Sequence, residues 1–300
     1  MADTAHDPAP PTPRLRHVQC LGTKGLHRMA YWEWGDANNP RVLVCVHGLS
    51  RQGRDFDTLA AALSAEYRVV CPDVVGRGQS DWLADPMGYA IPAYVADMVS
   101  LLARLDAETV HWVGTSMGGL IGLGLASLPG SPVQRLVLND VGPVIEWASL
   151  QRIGGYLGLP AHWPSAQAAA DALWAISQGF GPHSPEQWLA LTRPQLKPDV
   201  EHGSGFKPHY DPAIAQPFRL LTPELARAGE AALWASYERV TCPTLLIRGE
   251  QSDLLSAATA QAMTQRGPRA RLAVLPGVGH APTLVQPEQV ALVREFLREP

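Results

Sequence analysis

Residues 109–123, Thr-Val-His-Trp-Val-Gly-Thr-Ser-Met-Gly-Gly-Leu-Ile-Gly-Leu, constrain this chain more than any other stretch: a β-branched and aromatic run passes almost directly into a small-residue helical segment. Turning from strand to helix within one or two residues forces the central residue into strained backbone. Gly114 and Gly118, two positions either side of Ser116, leave room for that turn and hold the Ser116 hydroxyl at the end of a sheet. A hydroxyl held in this way is placed to act as a nucleophile. A glycine-rich turn also serves simply to pack a helix close to a sheet, and the strand-then-helix setting is what favours the chemical reading.

The stretches on either side repeat the same alternation. Arg41-Val-Leu-Val-Cys-Val, Tyr67-Arg-Val-Val-Cys-Pro, Arg135-Leu-Val-Leu-Asn, Thr244-Leu-Leu-Ile-Arg and Arg271-Leu-Ala-Val-Leu are continuous apolar runs, as expected of strands buried on both faces. Helical spacing over residues 55–65, 89–105, 256–266 and 287–297 separates or follows them. Repeated strand–helix units predict an α/β fold: a mostly parallel sheet with helices on both faces. Ahead of them, residues 16–34 alternate polar and apolar around Gly22 and Gly25, which predicts an antiparallel pair at one sheet edge.

From 144 to 240 the texture changes. Strand runs vanish, and Trp147, Trp163, Trp174, Trp188 and Trp234 are spread through Ala/Gln/Pro-rich helical segments. The organisation expected is a flexible tail over 1–15, a core over 16–143 and 241–300, and a helical cap inserted over 144–240. Most cap tryptophans are expected to serve the cap's own small core, with some facing the site. Residues 201–212 have no clear period and read as a long loop. His202 and His209 lie in it, but no carboxylate or cysteine stands at ligand spacing, so solvated loop histidines are expected rather than a metal.

With 46% hydrophobic and 17% charged residues, the chain has enough apolar content for a full core. Its 24 basic and 28 acidic residues give a net charge of −4 with no Lys/Arg block, which argues against nucleic acid or an anionic membrane surface as partner. Cys20, Cys45, Cys71 and Cys242 are far apart and lack metal or redox spacing, so they read as small buried hydrophobes in a reducing compartment. No run has signal-peptide or membrane-spanning character, and a cytoplasmic location is expected.

A serine hydroxyl is a weak nucleophile at neutral pH and needs a base, normally imidazole, with a third group to fix the imidazole's tautomer. His280, in Gly277-Val-Gly-His, and Asp253, in Gly249-Glu-Gln-Ser-Asp, both follow predicted strands, at the sheet edge to which Ser116 is delivered. Asp140 also ends a strand and is the rival acid. Together the elbow, the His47-Gly48 turn, the run Asp73-Val-Val-Gly-Arg-Gly-Gln-Ser80, Asp253 and Gly279-His280 resemble the α/β-hydrolase superfamily, over essentially everything from residue 14 onward except the variable cap. The order Ser, Asp, His is the order of that fold.

The resemblance implies that Ser116 attacks a carbonyl carbon, His280 takes and returns the proton, and Asp253 orients the imidazole. It implies an oxyanion hole from the backbone N–H groups of Leu49 and Met117, with His47, Gly48, Gly114 and Gly118 in support. Asp73 and Arg77 are expected to tie loops together, and Arg51 and Arg54 to pair with local carboxylates such as Asp55 or Asp57. The function this implies is cofactor-free, metal-free hydrolysis of a small-molecule carboxylic ester, of hydrophobic character given the cap, through an acyl-enzyme. Lactone or thioester hydrolysis, acyl transfer or perhydrolysis use the same intermediate and stay open. A non-catalytic ligand receptor on this fold is the alternative from a different class.

Overall fold

The computed structural model describes residues 12–299. The expected flexible tail over 1–15 therefore lies mostly outside the described residues, and Arg14 and Leu15 already belong to the first strand. An eight-stranded sheet forms from β1 (Arg14–Gly22), β2 (Gly25–Trp34), β3 (Val42–Val46), β4 (Arg68–Pro72), β5 (Val110–Thr115), β6 (Val133–Asn139), β9 (Thr244–Gly249) and β10 (Arg271–Leu275). Its order is β1-β2-β4-β3-β5-β6-β9-β10. The pairs β1–β2 and β2–β4 are antiparallel; from β4 to β10 every pair is parallel. The alternating hairpin thus occupies one edge, and β5, which delivers Ser116, lies inside the sheet.

Both sheet faces are covered, which is why the central strands read as unbroken apolar runs. Side chains alternate across the sheet: Val44, Val70, Trp112, Leu136 and Leu246 pack on one face, against α2 (Ile91–Leu105) and α3 (Met117–Ala126). Leu43, Cys45, Val69, Cys71, Val113, Val137, Leu245 and Ile247 pack on the other, against α1 (Asp57–Leu63) and α10 (Pro287–Arg298). The cysteines are all free; Cys20, Cys45 and Cys71 are buried and Cys242 is half-buried. A shorter helix, α9 (Ala257–Met263), joins β9 to β10.

Between β6 and β9 the chain carries α4 (Trp147–Tyr156), α5 (Ala166–Ser177), α6 (Pro185–Thr192), α7 (Ala215–Arg219) and α8 (Pro223–Tyr237). The insertion is not purely helical: β7 (Leu196–Pro198) pairs antiparallel with β8 (Phe206–Pro208), and β8 with part of the turn before it falls within 201–212, the stretch expected to be one long loop. Three-residue strands carrying prolines leave almost no alternating pattern to read. Trp188 is buried among Ala170, Leu191 and Val285, with Trp174 and Phe180 edge-on to it at 5.1 and 6.0 Å, so these two tryptophans do serve a local core.

Candidate active site

The turn after β5 has the strained geometry its glycines foreshadow. Ser116 sits at φ 52°, ψ −117°, a region in which a residue with a side chain is rarely found. Its backbone is tied on both sides: the N–H donates to the Asn139 carbonyl at 3.0 Å, and the carbonyl accepts from Gly119 N–H at 2.8 Å. A side chain at Gly114 would run into the Gly118 carbonyl, and one at Gly118 into the Val46 carbonyl. These two glycines let the start of α3 close onto β5 and the end of β3.

His280 follows β10 and brings its imidazole across to the elbow. Its Nε2 lies 3.0 Å from Ser116 Oγ, and its Nδ1 lies 2.7 Å from Asp140 Oδ2. An Nδ1–H donated to the carboxylate leaves Nε2 bare, which is the tautomer able to accept the serine proton. Asp140, fully buried, is fixed by further donors: Gly249 N–H to Oδ1 at 2.8 Å and Ser252 Oγ–H to Oδ2 at 2.6 Å.

The structure does not bring Asp253 to His280. Its carboxylate instead accepts from Arg152 Nε at 3.0 Å, its side chain is 52% exposed, and its carbonyl accepts from Ser149 Oγ at 2.6 Å. The reason lies in the turn after β9. There Ser252, not Asp253, points back toward the Asp140 carboxylate, and the neighbouring strand β6 ends directly before Asp140. Asp253 thereby anchors α4 of the cap to the core. Ser252 went unnoticed in the sequence, where a turn serine next to an aspartate carries no distinguishing signal.

The His47–Leu49 turn packs against the elbow from β3: a Cβ on Gly48 would stand 3.7 Å from Ser116 Cβ. Among the described residues, neither the Leu49 nor the Met117 N–H has a protein acceptor; Met117 opens α3, where the first N–H groups have no partner within the helix. Arg77 lies beneath both. Its buried guanidinium donates to the Leu49 carbonyl at 2.8 Å, the Val75 carbonyl at 2.7 Å and Tyr94 Oη at 3.0 Å, and it touches Met117 Sδ at 3.6 Å. Asp73 accepts from the N–H groups of Gly53 and Gln79 at 2.8 and 2.9 Å; burial pushes its carboxyl up to about 6. Arg51 and Arg54 pair with Asp55 and Asp57.

His47 is enclosed entirely. Val74 N–H donates to its Nε2 at 2.9 Å, so Nδ1 carries the proton and donates to the Gly48 carbonyl at 2.7 Å. Burial pushes this imidazole down to about 3, against the opposing pull of the Gly48 carbonyl. A histidine whose folded pKa lies below its unfolded value near 6.5 contributes fully above that value. Its contribution is lost as the pH falls from about 6.5 toward 3, because the unfolded chain takes up a proton that the native site refuses. His111, pushed by burial to about 4, adds to the same acid limb. Thermal melts between about pH 7.5 and 4.5 should show Tm falling below pH 6.5, with a shallower slope in His47→Gln. Equal slopes would show that His47 is not a source of the acid sensitivity.

A model of the alpha/beta hydrolase family matches residues 43–292. The chain belongs to that family. It is 56% identical over 287 residues to the 3-hydroxybutyrate-oligomer hydrolase of Cupriavidus necator, covering 95% of this chain and 98% of that protein. Among solved structures it is similar to an alpha/beta hydrolase from Novosphingobium aromaticivorans, with TM-score 0.83 and 36% identity over 95% of this chain and 98% of that one. It is also similar to a putative hydrolase from Rickettsia typhi, with TM-score 0.86 and 29% identity over 96% and 99% of the two chains.

Proposed function

We propose that this protein hydrolyses the ester bonds of short 3-hydroxybutyrate oligomers through an acyl-enzyme on Ser116, with His280 as base and Asp140 as the acid that orients it. The observation that carries the chemistry is the unbroken line from Ser116 Oγ through both imidazole nitrogens to Asp140, at 3.0 and 2.7 Å. The substrate class rests on the near full-length likeness to the Cupriavidus necator enzyme.

Ser116 Oγ attacks the ester carbonyl while its proton passes to His280 Nε2. The buried Asp140 carboxylate stabilises the imidazolium so formed and stays ionised. The oxyanion of the tetrahedral intermediate is received by the free N–H groups of Met117 and Leu49; a single donor of this kind is worth about 3 kcal/mol of barrier. Collapse breaks the bond to the alcohol oxygen, which is the 3-hydroxyl of the next unit, and His280 returns the proton to it. Water then attacks the acyl carbonyl and gives a proton to His280; collapse breaks the bond to Ser116 Oγ, which takes that proton back from His280, and the acyl group leaves as a carboxylic acid, so each turn yields two chains that together have one more hydroxyl and one more carboxyl.

Phe180 and Leu191 of the cap, with Thr115 and Ala281 beside the elbow, line a small, mostly apolar cavity that Arg51 and Asp55 also border, a size that supports a short acyl unit. The test is to incubate purified protein with the 3-hydroxybutyrate dimer and trimer and to follow products by liquid chromatography, beside p-nitrophenyl butyrate. Monomer should appear from both oligomers, with p-nitrophenyl butyrate turned over alongside as the control for the serine chemistry. Turnover of the nitrophenyl ester with no cleavage of either oligomer would overturn the substrate assignment and leave the serine chemistry standing.

A further inference from the structure

The cap holds a group of coordinating side chains that the proposed chemistry does not use. His162, in the connection from α4 to α5, and His202, in the turn between β7 and β8, both present Nδ1 to the same oxygen, Asp199 Oδ2, at 2.9 and 2.7 Å. The imidazole rings lie 4.7 Å apart, and one donor atom from each of the three residues falls within 4.8 Å of the others. The expectation for His202 and His209 was of solvated loop histidines with no carboxylate at ligand spacing, and for His202 it does not hold. The structure joins His202 to a carboxylate three residues earlier and to a histidine forty residues earlier.

We propose that His162, Asp199 and His202 form a binding site for a divalent transition-metal cation of the zinc class. Two imidazoles and one carboxylate are a donor set suited to such ions and poorly suited to calcium or magnesium, which take oxygen ligands. The carboxylate is the second, independent observation. Asp199 is only 2% exposed, yet its Oδ1 has no hydrogen-bond partner among the described residues, and the Lys207 ammonium stands off at 3.6 Å and also serves Glu201 at 2.9 Å. A buried carboxylate with one oxygen unpaired, facing two imidazole nitrogens within 4.8 Å, keeps lone pairs that a cation between the three donors would engage.

Binding exchanges the two N–H···O hydrogen bonds for two N–metal bonds and one O–metal bond. Each neutral imidazole keeps one proton, moved from Nδ1 to Nε2, and water fills the remaining position on the open side, where His202 is 64% exposed. The ion would clamp the β7–β8 connection onto the chain just before Trp163, whose backbone already pairs with Phe206. Past β8 that strand docks on the Arg77 loop, through Gly78 N–H to the His209 carbonyl at 3.0 Å and Asp211 N–H to the Gly76 carbonyl at 2.7 Å. The consequence of binding is therefore a stiffer cap.

Chelator-treated protein titrated with zinc chloride by calorimetry should bind one zinc ion per chain, and the ion at about a hundredfold over Kd should raise Tm by about 4 °C or more. His202→Ala removes an exposed ligand without touching the core and should weaken binding at least about tenfold; His162→Ala with His202→Ala should abolish it. Neither readout depends on hydrolytic activity, so this site and the Ser116 chemistry fail separately. Absence of binding in the wild type, or the same stoichiometry and affinity in the doubly substituted protein, would overturn the proposal and leave a hydrogen-bonded cluster or zinc held elsewhere.

Discussion

Ser116→Ala and His280→Ala are each expected to lower kcat on a short-chain p-nitrophenyl ester by about a million-fold, and the double variant to be no worse than either alone. The reason is the shared proton: every transfer through Nε2 of His280 serves the oxygen 3.0 Å away or the acyl group bonded to it, and those transfers lose their purpose when either partner goes. At about 1.4 kcal/mol per decade the loss is about 8 kcal/mol, and strict additivity would demand twice that. Residual turnover in all three variants should be similar, because Leu49 and Met117 N–H groups remain to receive an oxyanion. A fluorophosphonate probe gives a check that does not depend on substrate choice: it should label Ser116 in the wild type, label His280→Ala far more slowly, and leave Ser116→Ala unlabelled. Losses that add in the double variant would mean that the two side chains act in separate steps.

The parts of the molecule that were legible in the sequence are those in which local chemistry dictates the outcome. Glycines at 114 and 118, set between an apolar strand run and a small-residue helix, permit the sharp turn between them, and the buried contacts each would make if it carried a side chain show why no larger residue stands there. Continuous apolar runs such as residues 42–46 mark strands covered on both faces, and that covering forces helices onto both sides. What was not legible depends on which way a turn points. Asp140 and Asp253 both follow parallel strands at the same sheet edge, and position along the chain does not show that the second faces Arg152. The His162–Asp199–His202 cluster is hidden in part for the same reason: Asp199 and His202 are neighbours in one connection, but His162 reaches them only because the chain before Trp163 pairs with β8. Arg77 shows the intermediate case: its loop-tying role was expected, but its contacts with Leu49 and Met117 are tertiary.

The sharpest separation between the two acids comes from asparagine substitutions. Asp140→Asn is expected to lower kcat about ten-thousand-fold with little change in KM, whereas Asp253→Asn should stay within about twofold of wild type. An amide at 140 still has a carbonyl oxygen to accept from Gly249 N–H, so the fold around β6 and β9 is retained. What is lost is a negative charge at the imidazole and a definite instruction to its tautomer: an amide NH2 turned toward Nδ1 would put the proton on Nε2, where it blocks acceptance from Ser116. Charge and tautomer both act on the transition state, which places the effect in kcat. Asp253, half-exposed and paired with Arg152, has no path to the imidazole, and its neutralisation removes only a solvent-screened contact between α4 and the core. Ser252→Ala falls between them, since it deletes the 2.6 Å hydrogen bond to Asp140 but leaves the carboxylate in place. A large loss in Asp253→Asn together with near-normal turnover in Asp140→Asn would show that the imidazole takes a different partner during the reaction from the one it has at rest.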